Sequence, residues 1–142
     1  MEGGIIVREY TIPANDFIVA GEASSSVRKL LNQMGVFPSI VKRASVAMYE
    51  AEINAVIHGH GGIAHVEIDR DKVIIRIQDE GPGIPDLDLA MQEGWSTATD
   101  SIREMGFGAG MGLPNIKKHA DEFHVDTKPG LGTTVHILVH LR

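Results

Sequence analysis

Hydrophobic and polar residues alternate along several short stretches of this chain, which is the pattern of β-strands that bury one face. The stretches are 5–12, 64–68, 72–78, 125–127 and 133–141. Pro13 closes the first stretch, and polar turns at 69–71 and 128–130 each join two of the others. The pattern therefore predicts an opening strand and, later in the chain, two antiparallel hairpins.

Three other segments carry apolar residues at the spacing of an amphipathic helix. The first is capped by Asn15 or Asp16 and ends at Gly35. Its apolar stripe consists of Phe17, Ala20, Val27, Leu30, Leu31 and Met34. The second covers 38–58, and the third covers 113–123. Because the strands pair locally and helices lie between them in sequence, we expect an α/β (α+β) two-layer sandwich with a mainly antiparallel sheet.

The composition narrows the classes of protein to consider. With 142 residues, 43% of them hydrophobic, the chain can bury one sizeable core, so we expect a single domain over 1–142. A net charge of −6 and the lack of a basic run argue against nucleic-acid and anionic-membrane partners. The sequence has no cysteine for disulfides or thiolate metal sites, no signal-peptide pattern and no apolar run that could span a bilayer. We therefore expect a cytoplasmic protein.

A carboxylate and an amide lie four residues apart in the second predicted helix. Glu50 and Asn54 therefore project from one face, whereas Glu52 points roughly the opposite way. The amide oxygen of such a pair can coordinate Mg²⁺ while the carboxylate accepts a proton from water or a hydroxyl. Taken alone, the pair also fits an ordinary solvent-exposed helix face.

A second polar feature follows the strand that ends near residue 78. Asp79 stands at the strand end, with Gly81 and Gly83 beyond it. An aspartate there can accept a hydrogen bond from an exocyclic amine, and the glycines let another group approach the backbone, although an ordinary turn has the same composition. Residues 81–106 then lack sustained periodicity, and a stretch of that length in a compact domain predicts a mobile lid.

Alternating glycines at 106, 108, 110 and 112 directly precede the third predicted helix. Their exposed N–H groups and the positive end of the helix dipole favour a phosphate. A flexible linker is the alternative, but Pro114 in the first helical turn is typical of a helix start. The run lacks the Gly-Lys-Ser/Thr ending of a P-loop, and Met111 stands where a dinucleotide fingerprint needs glycine. It therefore predicts a phosphate site of another kind.

In this order, the three segments resemble the N, G1 and G2 boxes of the GHKL nucleotide-binding superfamily, which includes DNA gyrase, Hsp90, histidine kinases and MutL-type ATPases. Within it, the chain is most similar to bacterial anti-sigma-factor serine/threonine kinases and stressosome switch kinases. The resemblance covers 46–59, 78–86, 90–97, 108–123 and 130–134. It implies a Bergerat-type ATP-binding fold, with the helices on one face of a mainly antiparallel sheet.

The resemblance also implies roles for residues of this sequence. Glu50 would be the catalytic base, Asn54 the Mg²⁺ ligand and Asp79 the residue that binds the adenine amine. The remaining residues of the implied ATP site are His58, Gly81, Gly83, Ile84, Gly108, Ala109, Gly110, Met111, Gly112, Leu113 and Thr133. Candidates for a phosphate-binding cation, which are equally compatible with ordinary surface charges, are Arg103, Lys117 and Lys118.

The function implied by the resemblance is that of an ATP- and Mg²⁺-dependent serine/threonine protein kinase. It would phosphorylate a STAS-domain anti-anti-sigma or stressosome protein and regulate sigma-factor activity by partner switching. Other implied partners are a sigma factor, a downstream phosphatase and a second copy of the chain. An anti-sigma binding switch with little or no phosphotransfer stays open, because it needs the same nucleotide site. A gyrase-type ATPase, in which Glu50 activates water, ranks last because this chain has no room for a transducer domain.

Overall fold

The structure, a computed structural model, describes residues 4–14, 20–57, 60–81, 83, 91, 112–128 and 130–142. Its elements are β1 (Ile6–Ile12), α1 (Glu22–Gln33), α2 (Pro38–Ile57), β2 (Gly62–Ile68), β3 (Lys72–Asp79), α3 (Gly112–His119), β4 (Glu122–Lys128) and β5 (Gly132–His140). All five predicted strands are confirmed. Most of the predicted lid and of the glycine run lies outside the described residues.

The five strands form one antiparallel sheet in the order β1-β2-β3-β5-β4. Two of the pairings join strands of the predicted hairpins, β2 with β3 and β4 with β5. The central pairing is different, because β3 and β5 belong to different hairpins. Their register runs from Lys72 opposite His140 to Asp79 opposite Thr133, so that residues 54 positions apart become neighbours.

The three described helices pack on one face of this sheet and share one hydrophobic core with it. Its fully buried side chains include Leu31, Met48, Ile75, Ile116 and Ile137. The alanines of α2 lie 0–1% exposed at positions 44, 47, 51 and 55, and their small size lets its neighbours approach closely. The predicted two-layer fold with a mainly antiparallel sheet is confirmed. Among the described residues, no helix is long and apolar enough to cross a membrane.

α1 begins later than the sequence predicts. The expected caps Asn15 and Asp16 lie outside the described residues, but Ala20 and Gly21 form a turn and the helix begins at Glu22. Gly21 has a φ of 98°, a left-handed conformation that does not continue a helix, and glycine has no side chain with which to cap one. The prediction of a cap at 15 or 16 is therefore wrong for α1.

Glu52 of α2 supplies the cap that α1 lacks. Its carboxylate is buried at 3% exposure and accepts the N–H groups of Gly21, Ala23 and Ser24 at 2.9, 3.2 and 3.0 Å. These are free donors at a helix N-terminus, where the dipole also favours a negative charge. The end of α1 is thus fixed by a residue from another helix.

α3 ends earlier than predicted, because the residues that follow His119 hydrogen-bond to the sheet. The helix ends at His119, where the Arg43 guanidinium donates from Nε to the carbonyl oxygen at 3.1 Å. The N–H of Asp121 then donates to the carbonyl of Leu138 on β5 at 2.9 Å. Phe123, which continues the helical spacing, therefore belongs to β4.

Candidate functional site

One side of α2 faces α3 through positions 43, 47, 50 and 54, which form a single stripe because they are three or four residues apart. Arg43 contacts the carbonyl of His119, at the C-terminal end of α3. Seven residues later, Glu50 lies near Asn115, which is nearer the N-terminal end of α3 and whose side chain lowers the pKa of the Glu50 carboxyl. The two helices therefore run antiparallel along this stripe.

Asn54 lies one turn beyond Glu50 on the same stripe and is half-buried. Since the helices are antiparallel, this turn is directed toward the end of α3 that begins at Gly112. The N–H groups of a helix start and its dipole make that end positive. The arrangement brings a carboxylate, an amide oxygen and the positively polarised end of a helix to one region of the molecule.

The environment of Glu50 suits a proton acceptor. Burial raises the pKa of this carboxyl above its usual value, while the neighbouring Asn115 side chain and the charge of His119 act in the opposite direction. A base whose pKa is raised toward neutrality accepts a proton more readily than an exposed glutamate. Because Glu50 is half-buried against α3, the interpretation of an ordinary solvent-exposed face does not apply to it.

Asp79 forms a second group at the end of β3. Its Oδ1 accepts the N–H of Gly81 at 3.0 Å and the N–H of Thr133 at 3.2 Å. Burial raises the pKa of the Asp79 carboxyl, and the two N–H donors and the charge of His60 offset this only in part. The hydroxyl of Thr133 lies 2.9 Å from that of Thr127. The β3–β5 pairing thus fixes both the carboxylate and a buried hydroxyl side chain at one corner of the sheet.

Two glycines allow this corner to form. Gly62 on β2 and Gly132 on β5 lie on either side of the end of β3, and a Cβ at either would overlap the carbonyl oxygen of Gln78 or Asp79. Gly132 also has a φ of 109°, which side-chain-bearing residues rarely adopt. Neither glycine was singled out for this role from the sequence, where Gly132 appeared only within the resemblance.

The other predicted site residues are placed in part. Gly81 is buried, Gly83 has a φ of 79°, Gly112 is the first residue of α3 and Leu113 is 7% exposed in the core. The candidate cations of α3, Lys117 and Lys118, are exposed. Outside the described residues lie His58, Ile84, Arg103, Gly108, Ala109, Gly110 and Met111. α2, which carries Glu50, contacts both α3 and β3, the strand that ends at Asp79.

Three residues near the site were missed by the sequence analysis: His60, Asn115 and His119. Their positions in the sequence carried one usable signal. Asn115 and His119 are four apart in the third predicted helix, directly after the glycine run, and therefore share a face. Which way that face points depends on the packing of α3 against α2, which local sequence does not reveal.

The profile of the family described as histidine kinase-, DNA gyrase B- and HSP90-like ATPase matches residues 40–142, a range that contains Glu50, Asp79 and Thr133. This chain belongs to that ATPase family. Family membership implies ATP binding, and it agrees with the resemblance seen in the sequence.

Individual relatives of this ATPase family extend the comparison. An anti-sigma F factor from Bacillus licheniformis is 35% identical over 98 residues, which cover 65% of this chain and only 64% of that protein. The serine/threonine-protein kinase RsbT of Bacillus subtilis is 30% identical over 131 residues, covering 89% of this chain and 90% of that one. The solved structure of a mycobacterial sensor histidine kinase, MprB, has a TM-score of 0.52 and 17% identity, and covers 96% of this chain and 99% of its own. That last similarity concerns the fold alone.

The donor set at Asn54 fits a magnesium ion carried by the nucleotide. Magnesium prefers oxygen ligands and usually takes only one or two from the protein, with phosphates and waters supplying the rest. The Asn54 side chain offers one amide oxygen in the turn of α2 that is directed toward the start of α3. Within the described part of the chain, no group of three His, Cys, Asp or Glu residues could hold a metal ion.

Proposed function

We propose that this chain is an ATP-dependent serine/threonine protein kinase of the anti-sigma and switch-kinase type. Its acceptor would be a STAS-domain anti-anti-sigma or stressosome protein, and its effect on a sigma factor would follow by partner switching. The names of two relatives, a serine/threonine kinase and an anti-sigma factor, support this proposal.

The observation that carries the proposal is the environment of the Glu50 carboxylate, which is half-buried and has a pKa raised by burial. A kinase that uses a protein hydroxyl needs a nearby group to receive the hydroxyl proton, and a half-buried carboxylate whose pKa is raised by burial suits that task. The same residue precedes Asn54 by one turn and belongs to the helix that borders α3. In an ordinary surface helix, an unpaired exposed glutamate would have no such environment.

In the proposed reaction, the acceptor oxygen forms a bond to the γ-phosphorus of ATP as the bond to the bridging β,γ-oxygen breaks. ADP leaves with the bonding electrons, and the hydroxyl proton passes to a carboxylate oxygen of Glu50. The N–H groups at the start of α3, beginning at Gly112, would face developing negative charge. Proton release from Glu50 to solvent then restores the base.

The remaining roles concern the nucleotide. Asp79 would accept a hydrogen bond from the adenine amine, and Thr133 would place a hydroxyl in the adenine pocket. These neighbouring roles agree with the hydrogen bond between the two residues at the corner of the sheet. Asn54 would hold Mg²⁺ through its amide oxygen. When bound, that ion neutralises part of the charge on the phosphates.

The test is phosphate transfer from radiolabelled ATP to the STAS-domain proteins of the source organism. Glu50→Gln should lower kcat by about 10²–10⁴-fold while the Kd for ATP, measured by calorimetry, changes little. Glu122→Gln, an exposed glutamate on β4, is the matched control and should transfer at the wild-type rate. A Glu50→Gln variant that transfers phosphate normally would rule out the proposed base.

A nucleotide-gated binding switch is the second candidate, and the anti-sigma F factor similarity favours it specifically. In that case the chain would retain a sigma factor in one nucleotide state with little transfer. Co-purification of a sigma factor with ATP but not with ADP, with no phosphate incorporated into any STAS-domain protein, would support the switch over the kinase.

We also propose that 1–142 acts as one domain in the cytoplasm. All described elements contribute to one hydrophobic core, which supports the first part. A single cooperative unfolding transition, seen alike by calorimetry and circular dichroism, is the result expected of one domain.

A further inference from the structure

The three described helices carry a group of cations that neither the core nor the proposed chemistry uses. Six basic residues lie on α1, α2 and α3, almost half of the thirteen Lys and Arg residues in a chain whose net charge is −6. These residues form the basic belt: Arg28, Lys29, Lys42, Arg43, Lys117 and Lys118. Arg43 is half-buried, and the other five are exposed.

Hydrogen bonds between the helices place the basic belt at one level. Because Glu52 bonds the N-terminus of α1, this helix begins beside position 52 of α2, and the short turn after Gln33 makes the two helices antiparallel. The end of α3 lies beside position 43, because Arg43 bonds the carbonyl of His119. Along these antiparallel helices, the belt falls at the level of 42–46 in α2, a length of about 6 Å.

This level of the three helices has no acidic residue. The carboxylates of α1 and α2 are Glu22, Glu50 and Glu52, all toward the opposite end, and α3 has none. Within the described part of the chain, only Arg43 of the belt forms an ion pair, with Asp121 at 2.9 Å. Because α2 contacts both other helices, five uncompensated cations lie on one outer surface, which attracts carboxylates.

An exposed aromatic side chain lies next to the basic belt. Phe37 is 72% exposed in the turn between α1 and α2, five residues before Lys42. In protein interfaces, aromatic side chains supply much of the affinity, and complementary charges steer the approach. The net negative charge of the whole chain repels nucleic acids and anionic membranes at longer range. The surface therefore fits a protein partner that presents carboxylates around an apolar contact.

We infer that the basic belt and Phe37 dock an acidic face of the protein that accepts the phosphoryl group. This inference rests on the proposed function, in which the acceptor is a STAS-domain protein. The belt lies on the helix that carries Glu50, about 6–12 Å from it along the axis. A protein bound there gains affinity away from the reacting atoms while its hydroxyl reaches the base. Lys117 and Lys118 then contact the acceptor and not the phosphates.

Charge reversal tests this docking surface through the KM for the acceptor in radiolabel transfer from ATP. Lys42→Glu and Lys118→Glu should each raise this KM about fivefold, and together at least about 10-fold, because attraction becomes repulsion. Phe37→Ala should raise it about 5- to 10-fold. The kcat and the Kd of ATP should stay within about twofold of wild type, since only binding of the acceptor is weakened. Added salt should reduce the difference between wild type and the charge-reversal variants.

Arg76→Glu is the matched control, because it makes the same change of charge at an exposed position on the sheet face opposite the helices. It should leave the KM for the acceptor within about twofold of wild type, and thermal unfolding checks that each variant is folded. An unchanged KM in Lys42→Glu with Lys118→Glu, or an equal rise in Arg76→Glu, would overturn the inference. Binding of DNA or of anionic vesicles that only the double variant loses, with the KM for the acceptor unchanged, would assign the basic belt to those partners instead.

Failure of the proposed function gives a different result, since the wild-type chain would then transfer no phosphate to any STAS-domain protein. Calorimetric titration of the same STAS-domain proteins measures docking without transfer. A Kd that rises at least about 10-fold in Lys42→Glu with Lys118→Glu would still support the docking surface, whereas an unchanged Kd, or no binding by wild type, would overturn it.

Discussion

The carboxylate of Asp79 serves both the fold and the proposed site. Its Oδ1 accepts the N–H groups of Gly81 and Thr133, and Oδ2 has no hydrogen-bond donor within the described part of the chain. Burial also raises the pKa of this group, because water solvates its charged form incompletely. A polar ligand atom that donates a hydrogen bond, such as the exocyclic amine of adenine, would satisfy Oδ2.

Asp79→Asn should therefore change which base the site accepts while leaving the fold intact. The asparagine oxygen can replace Oδ1 as acceptor for Gly81 and Thr133, but the amide nitrogen then meets the adenine amine as a second donor. We expect ATP affinity to fall about 10- to 100-fold and preference to shift toward ITP, which has a carbonyl oxygen at that position. Calorimetric titrations of both nucleotides measure this shift. Equal loss of both would show that the oxygen does not contact the base.

At the residue scale, the sequence was sufficient to propose candidate groups that stand out by their chemical type and by their order along the chain. Glu50, Asn54 and Asp79 were predicted because carboxylates and an amide recur at helix and strand positions that suit a nucleotide site. The role of Glu52 was not predicted, because it depends on contacts with an element distant in sequence. A glutamate at 3% exposure in an alanine-rich helix is understood only once the N-terminus of α1 lies beside it.

At the scale of the element, the start of α1 depends on Glu52. Glu52→Gln should destabilise the protein by about 2 kcal/mol, because a charged acceptor at a helix N-terminus is replaced by a neutral amide that presents N–H groups to other N–H groups. Urea unfolding at pH 7, followed by circular dichroism, measures the loss. Glu22→Gln, an exposed glutamate in the first turn of α1, should cost much less. Equal effects of the two substitutions would contradict the assignment of the cap.

The connection after α3 supports a prediction about pH. Burial alone would raise the pKa of Asp121, but the N–H of His140 and the Arg43 guanidinium outweigh it and hold the pKa below its usual value of 3.8. A group with a lowered folded-state pKa stabilises the protein above its unfolded pKa and loses that effect as pH falls through the folded value. Because Asp121 is exposed and water screens its contacts, Asp121→Asn should cost only about 0.5–1 kcal/mol at pH 7 and progressively less below pH 4.

Urea unfolding of wild type and Asp121→Asn between pH 7 and pH 3 tests this pH dependence. Glu122→Gln provides a comparison at the adjacent exposed position. A difference between Asp121→Asn and wild type that stayed constant over the whole range would show that ionisation of Asp121 does not contribute.

Element ends were predicted well where a single residue determines them and poorly where tertiary contacts do. Gly35 follows the end of α1 as expected, with a φ of 77°. Its N–H donates to the carbonyl of Asn32, and the N–H of Val36 donates to the carbonyl of Leu31. α3 ends at His119 because of Arg43 and the sheet, neither of which is local. Apolar spacing alone could not separate the end of a helix from the first residue of β4.

At the scale of the whole molecule, the two hairpins could be predicted but their order in the sheet could not. Turn residues indicate which consecutive strands pair as hairpins. The pairing of β3 with β5, in contrast, depends on how both hairpins pack against α2. That pairing creates the corner of the sheet that is proposed to hold adenine, since it brings Thr133 to Asp79. The sequence could therefore nominate a set of candidate residues, whereas the way they come together depends on the fold.

The whole molecule should also respond to its ligands through mass action. A ligand that binds only the folded state at 100 times its Kd adds about 2.7 kcal/mol, which for a chain of 142 residues is a rise in Tm of roughly 5–10 °C. We expect this rise with ATP and Mg²⁺, and a smaller one when EDTA removes the metal ion. If Asn54 supplies the protein ligand, Asn54→Ala should show the smaller rise with or without EDTA.

Thermal unfolding followed by circular dichroism, with and without each ligand, separates the contributions of nucleotide and metal. Asn32→Ala, at an exposed position of α1, should keep the full difference between Mg²⁺ and EDTA, because only the loss of the Asn54 oxygen bears on the metal ion. A magnesium-dependent increment that survives in Asn54→Ala would mean that the ion is held by the phosphates and other groups. The stripe that faces α3 would then orient Glu50 without a metal ligand one turn beyond it.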